Sequence, residues 1–138
     1  MNALQQPPAS LVALRQRKSN LELSLAQHQD LLDRLHALLT ARKQGNERMD
    51  VPVDIGMGFT AEGVVNDTSR ILVSVGVQEL FLDLPVEAAQ AFVQKKHQLM
   101  QKRLDGLDQP LARAEAEHER VLETLKAVFE VQDTRVSV

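Results

Sequence analysis

The chain has 138 residues, enough for one ordinary domain and too few for two. It has no cysteine, which excludes disulfides, thiolate zinc sites and thiol catalysis, and its four Phe with no Trp or Tyr leave packing to Leu and Val, as in narrow helical seams. The formal charge is −3, distributed as +3 over residues 11–43, −5 over 44–84 and −1 over 85–132; no segment is basic enough to grip nucleic acid directly.

Met1 to Pro8 lacks a charged flank followed by an apolar run, and nowhere do 18 consecutive apolar residues occur. The expectation is a soluble, cytoplasmic protein without a membrane partner, with the nucleus as a second compartment.

From Leu11 the positions 11, 14, 18, 21, 25, 28, 32, 35 and 39 alternate steps of three and four, the spacing of a heptad seam. Leu14, Leu21, Leu25, Leu32, Leu35 and Leu39 are its apolar members, and a first helix is expected over about 10–43. Pro7-Pro8 stops it upstream, Ser10 is the expected N-cap, and Gly45-Asn46 closes it because these residues tolerate the left-handed conformation.

Next, the period changes to two. Met49, Val51, Val53 and Ile55 alternate with Asp50, Pro52 and Asp54, and Ile71, Val73 and Val75 alternate with Leu72, Ser74 and Gly76. Asn66-Asp67-Thr68-Ser69 is a turn cluster, and Gly76-Val77-Gln78 offers a tight reversal before Leu80–Leu84. Residues 49–84 therefore read as two consecutive β-hairpins.

A second seam follows Pro85, a residue suited to the first helical position. It runs through Val86, Gln90, Val93, His97, Met100, Leu104, Leu107, Leu111, Ala114, His118, Val121, Leu125 and Val128, giving a helix over about 86–132. Gly106 and Pro110 interrupt it, and a bend is expected there because the seam continues in register. Val136-Ser137-Val138 reads as a tail.

Two oppositely directed helices flanking a small sheet bury their seams against each other. The fold class is therefore α+β: a long antiparallel α-helical coiled coil with two β-hairpins between the helices, forming a single domain over 1–138. The strands carry apolar residues on both faces, and one face can pack on the helices while the other and the free edges call for a partner. Val64, Val65, Ile71, Leu72, Val73, Phe81 and Leu82 are the expected oligomer interface.

The helices are also unequal. With Leu39 near Gln90, the first helix runs out near His118, leaving Val121, Leu122, Leu125, Val128 and Phe129 without a partner in the chain. With Leu11 at the other helix end, these form the expected client or partner tip.

The central residues carry a resemblance. Val53-Asp54-Ile55-Gly56, Phe59, the run Val64-Val65-Asn66-Asp67-Thr68-Ser69-Arg70-Ile71, Val73, Gly76, Phe81-Leu82, Leu84, Glu87-Ala88, Phe92 and Lys95 resemble the alpha class of prefoldin subunits. The resemblance covers the whole chain in architecture and specific residues from about 51 to 96. It departs in lacking an aromatic residue after Gly76 and in the Gly106/Pro110 interruption. It implies a non-catalytic chaperone or co-chaperone subunit without cofactor, in which Val64 to Leu84 join an alpha-class pair ringed by beta-class subunits. The coiled-coil tips would then hold unfolded or assembling clients. The alternative is a coiled-coil adaptor or transcriptional cofactor acting through protein contacts.

Other chemistries fit less well. His28, His97 and His118 fall on seam positions at different heights, so no two converge on a metal. Asp50, Asp54, Glu62, Asp67, Glu79 and Asp83 occupy outward strand positions or turns without an enclosing pocket. Gly56-Met57-Gly58 lacks the spacing and following lysine of a phosphate loop. Arg15, Arg17 and Lys18 lack the long basic helix of a DNA-binding zipper.

Overall fold

The computed structural model describes residues 5–136, the last of these by its backbone alone; the tail residues Ser137 and Val138 lie outside them. The elements in order are α1 (Ala9–Lys43), β1 (Met49–Gly56), β2 (Phe59–Val65), β3 (Arg70–Ser74), β4 (Phe81–Pro85), α2 (Val86–Asp105) and α3 (Asp108–Val136). This is the expected α+β class, with antiparallel hairpins between helices. Two compact units divide the chain: residues up to Leu25 with those from Met100 onward, and Ala26–Leu99.

Helix α1 starts one residue earlier than expected, because the Pro8 carbonyl accepts the first N–H groups, those of Leu11 at 3.0 Å and Val12 at 3.1 Å. Pro8, not Ser10, is the cap. At the other end Asn46 N–H reaches the Ala41 carbonyl at 2.9 Å and Gly45 N–H the Arg42 carbonyl at 3.0 Å. That pattern is a Schellman motif, and it needs Gly45 at φ +89°.

In the first unit Leu11, Leu25, Leu107 and Leu111 are buried, and Arg15 Nε lies 3.5 Å from Glu115 Oε1, tying α1 to α3. The expected bend near Pro110 is instead a two-residue break between α2 and α3 at Gly106-Leu107. Helical hydrogen bonding restarts when Leu111 N–H donates to the Leu107 carbonyl at 3.0 Å. Pro110 then lies in the first turn of α3, where a missing N–H removes no intrahelical bond.

In the second unit Leu35, Val86 and Val93 form the buried cluster, with Leu32, Leu38, Leu39, Ile71 and Phe92 packed around it. The strands do not form one four-stranded sheet: β1 pairs only with β2, and β3 only with β4, both antiparallel. The first hairpin turns at Met57 (φ 53°) and Gly58 (φ 78°), the paired positive angles whose backbone twist matches that of the strands. Beyond β3 the chain makes a loop over 75–80 instead of a tight reversal, closed by Val75 N–H to the Leu80 carbonyl at 3.4 Å. Pro85 is the last residue of β4, paired with Arg70, and the helix begins after it. Among the described residues no helix is long and apolar enough to cross a membrane.

Candidate functional site

Strand pairing decides which apolar residues the second hairpin presents. Directly opposed residues share a face, so Ile71 and Val73 lie with Leu84 and Leu82, whereas Leu72, Ser74, Phe81 and Asp83 point the other way. Of the first set, Val73 and Leu84 are half-buried. Ile71, expected at the oligomer interface, is half-buried and packs against the chain's own buried cluster of Leu35, Val86 and Val93. Leu72 remains 70% exposed and Phe81 56% exposed. Beside them Arg70 Nε reaches Asp83 Oδ1 at 3.1 Å, and its terminal nitrogen bonds the Asp83 carbonyl at 3.1 Å. Leu82 and Val64 are also exposed, while Val65 is half-buried.

The backbone edges follow from the same pairing. Val86 N–H to the Ser69 carbonyl and Val75 N–H to the Leu80 carbonyl show that odd-numbered β3 residues exchange bonds with β4. The N–H and C=O of Arg70, Leu72 and Ser74 therefore line the free edge of β3, next to the exposed Leu72 side chain.

A polar clasp holds the turn between the hairpins. Thr68 is 3% exposed, donates its hydroxyl to the Glu47 carbonyl at 3.1 Å and accepts from Arg42 at 3.3 Å. Its own N–H donates to the same Glu47 carbonyl at 3.1 Å. Asp67 caps Ser69 N–H at 2.9 Å and lies 3.6 Å from Arg42. The Ser69 hydroxyl and N–H, and after them Arg42, hold the Asp67 carboxyl below its ordinary value. The turn composition located this segment in the sequence, but nothing there marked Thr68 as buried.

Of the α1 seam residues, Leu25 and Leu35 are buried and Leu14, Leu21, Leu32 and Leu39 half-buried. On the return helices Val93, Leu107 and Leu111 are buried, and Met100 and Leu104 half-buried. The return seam drifts at its end. Its half-buried positions after His118 are Leu122, Leu125 and Phe129, not Val121 and Val128. A straight helix of 3.6 residues per turn slips against a strict heptad, and here the slip amounts to one residue. Gln5 lines the same recess as Leu122 and Leu125. Leu11 is fully buried and is not a tip contact. Among the described side chains, the exposed large apolar residues of α3 are Val121, Val128 and Val131.

His28, His97 and His118 are half-buried, and no group of three metal-ligating side chains occurs among the described residues.

Helices joined through two antiparallel β-hairpins define the α+β class of this chain. A family model described as prefoldin subunit matches residues 9–130, and the chain belongs to the prefoldin family. It is 29% identical over 92 residues to Protein UXT of Bos taurus, a match covering 67% of this chain and 58% of the bovine protein. In structure it is similar to a chain of the filamentous PFD from Methanocaldococcus jannaschii, with a TM-score of 0.63, 24% identity and coverage of 84% of this chain and 92% of the other.

Proposed function

We propose that this prefoldin-family subunit is a non-catalytic component of a chaperone or co-chaperone complex. It joins other prefoldin-type subunits through its β module, as one of an alpha-class pair ringed by beta-class subunits. It offers the Val121–Val128–Val131 stripe of α3 to unfolded or assembling client proteins, in the cytoplasm and also the nucleus. The observation that carries this reading is the unpartnered apolar surface of the second hairpin: Leu72 and Phe81 share a solvent-facing side beside a free strand edge. Two large apolar residues on one face of a two-stranded ribbon mark an association surface.

The test uses the complex reconstituted from co-purified subunits. Leu72→Asp with Phe81→Asp is expected to dissociate the complex in sedimentation while leaving far-UV circular dichroism intact, since burying two unpaired charges costs several kcal/mol. Val121→Ser, Val128→Ser and Val131→Ser together are expected to preserve the complex and weaken suppression of client aggregation. Assembly untouched by the first variant would overturn the β-mediated reading. Full client suppression by the second would instead favour the adaptor role, in which the same fold recruits specific partners.

A further inference from the structure

The first hairpin ends in a group of exposed apolar side chains: Ile55 is 66%, Met57 99% and Phe59 67% exposed. Met57 also adopts a left-handed conformation, φ 53°, which a long side chain seldom takes. Asparagine would suit that turn position better, so both burial and backbone preference argue against methionine in the isolated chain. Asp50, Asp54 and Glu62 lie on one face of the same hairpin, and none of them has a salt bridge to another described residue.

Elsewhere in the same unit there is a recess of matching character. A space of about 580 Å³ is lined by Leu35, Leu38, Ala41, Met49 and Val51, with Arg34 and Arg48 at its rim. Arg34 is joined to Asp30 at 3.0 Å. Arg48 has no carboxylate within salt-bridge distance among the described residues. An apolar floor with an unpaired guanidinium at its margin fits an apolar side chain that has a carboxylate close by.

Extension of the sheet across β1 is disfavoured. Pro52 lies within the β1–β2 ladder, opposite Glu62, and a proline is accommodated there only with its nitrogen turned away from the partner strand. The outer edge of β1 therefore lacks a donor at its middle and carries Asp50 and Asp54 on either side, features that block strand addition. An occupant of the recess inserts side chains rather than adding a strand to β1.

We infer that the Ile55–Phe59 hairpin tip of one copy inserts into the Leu35–Leu38–Met49 recess of a second copy, with a hairpin carboxylate meeting Arg48. The occupant is a second copy because this chain itself supplies both halves: an apolar tip with unpaired carboxylates and an apolar recess with an unpaired arginine. The inference rests on the reading that the chain assembles through its β module, and it supplies a contact distinct from the Leu72–Phe81 face.

The absence of native cysteine makes the test direct. The full-length double variant Met57→Cys, Leu38→Cys, oxidised with glutathione disulfide, is expected to give reducible covalent dimers or larger species, whereas each single variant gives no tip-to-recess linkage when oxidised alone. Mixing the two single variants is expected to give a heterodimer identified by mass spectrometry of the bridged peptides. Arg48→Glu is expected to reduce that heterodimer about tenfold or more, and Asp54→Arg in the tip-bearing copy to restore part of it. Absence of the bridged peptide alongside a Leu72→Cys to Phe81→Cys cross-link would overturn the tip contact and leave β-mediated assembly standing. Absence of both cross-links would overturn the tip contact and the assembly reading together.

Discussion

Replacing Thr68 by Val tests whether the clasp between α1 and the hairpins is a structural element. Valine keeps the branched shape at a position only 3% exposed, so packing is preserved and only the hydroxyl is lost. The Glu47 carbonyl retains the Thr68 N–H at 3.1 Å, and Arg42 retains Asp67 at 3.6 Å. No buried polar group is left without a partner, so the cost is that of the lost hydroxyl bonds, about 1–2 kcal/mol. For a chain of this size that corresponds to a fall in Tm of roughly 2–8 °C. Thr68→Ala removes a methyl group as well and is expected to cost about 1 kcal/mol more. Thermal unfolding followed by far-UV circular dichroism, at matched concentration and oligomeric state, measures both. A Thr68→Val protein with the parental Tm, or one as unstable as the alanine variant, would refute the hydrogen-bond account.

Three further outcomes are expected. Leu35→Ala, at a side chain 4% exposed, should cost about 2–5 kcal/mol, while Leu31→Ala one helical turn away and 40% exposed should cost under about 1 kcal/mol; equal melts would mean the α1 seam faces elsewhere. Because folding lowers the pKa of Asp67, its stabilising contribution is present above the ordinary value of 3.8 and is lost as pH falls through the lower, folded-state value. Asp67→Asn should flatten that acid limb in a pH series of melts, and an unchanged limb would contradict the assignment. Gly106→Ala is expected to be neutral or stabilising by up to about 1 kcal/mol, since Gly106 lacks a positive φ and an added Cβ stays at least 3.4 Å from its neighbours; marked destabilisation in urea titration would show that the break requires glycine.

The sequence by itself determined the order of first helix, two hairpins and return helical segment and most of their boundaries, because those depend on local physics, though not the break at Gly106-Leu107. The leucine spacing from Leu11 to Leu39, Gly45-Asn46 as a stop and the change to period two at Met49 each act over a few residues. The pattern also placed apolar residues on both faces of the second hairpin, but it could not say which face the chain covers itself. Ile71 turns onto Val86 and Val93 while Leu72 stays exposed, a choice made by pairing register and helix packing. The one-residue drift from Val121 to Leu122 has the same origin: small departures of helix period from the heptad accumulate over many turns and become visible only once the chain has packed. The burial of Thr68 and the opening of a recess beside Arg48 likewise depend on α1 meeting residues far along the chain. Local periodicity specifies the elements, whereas the exposed surface is what remains after distant segments have covered one another.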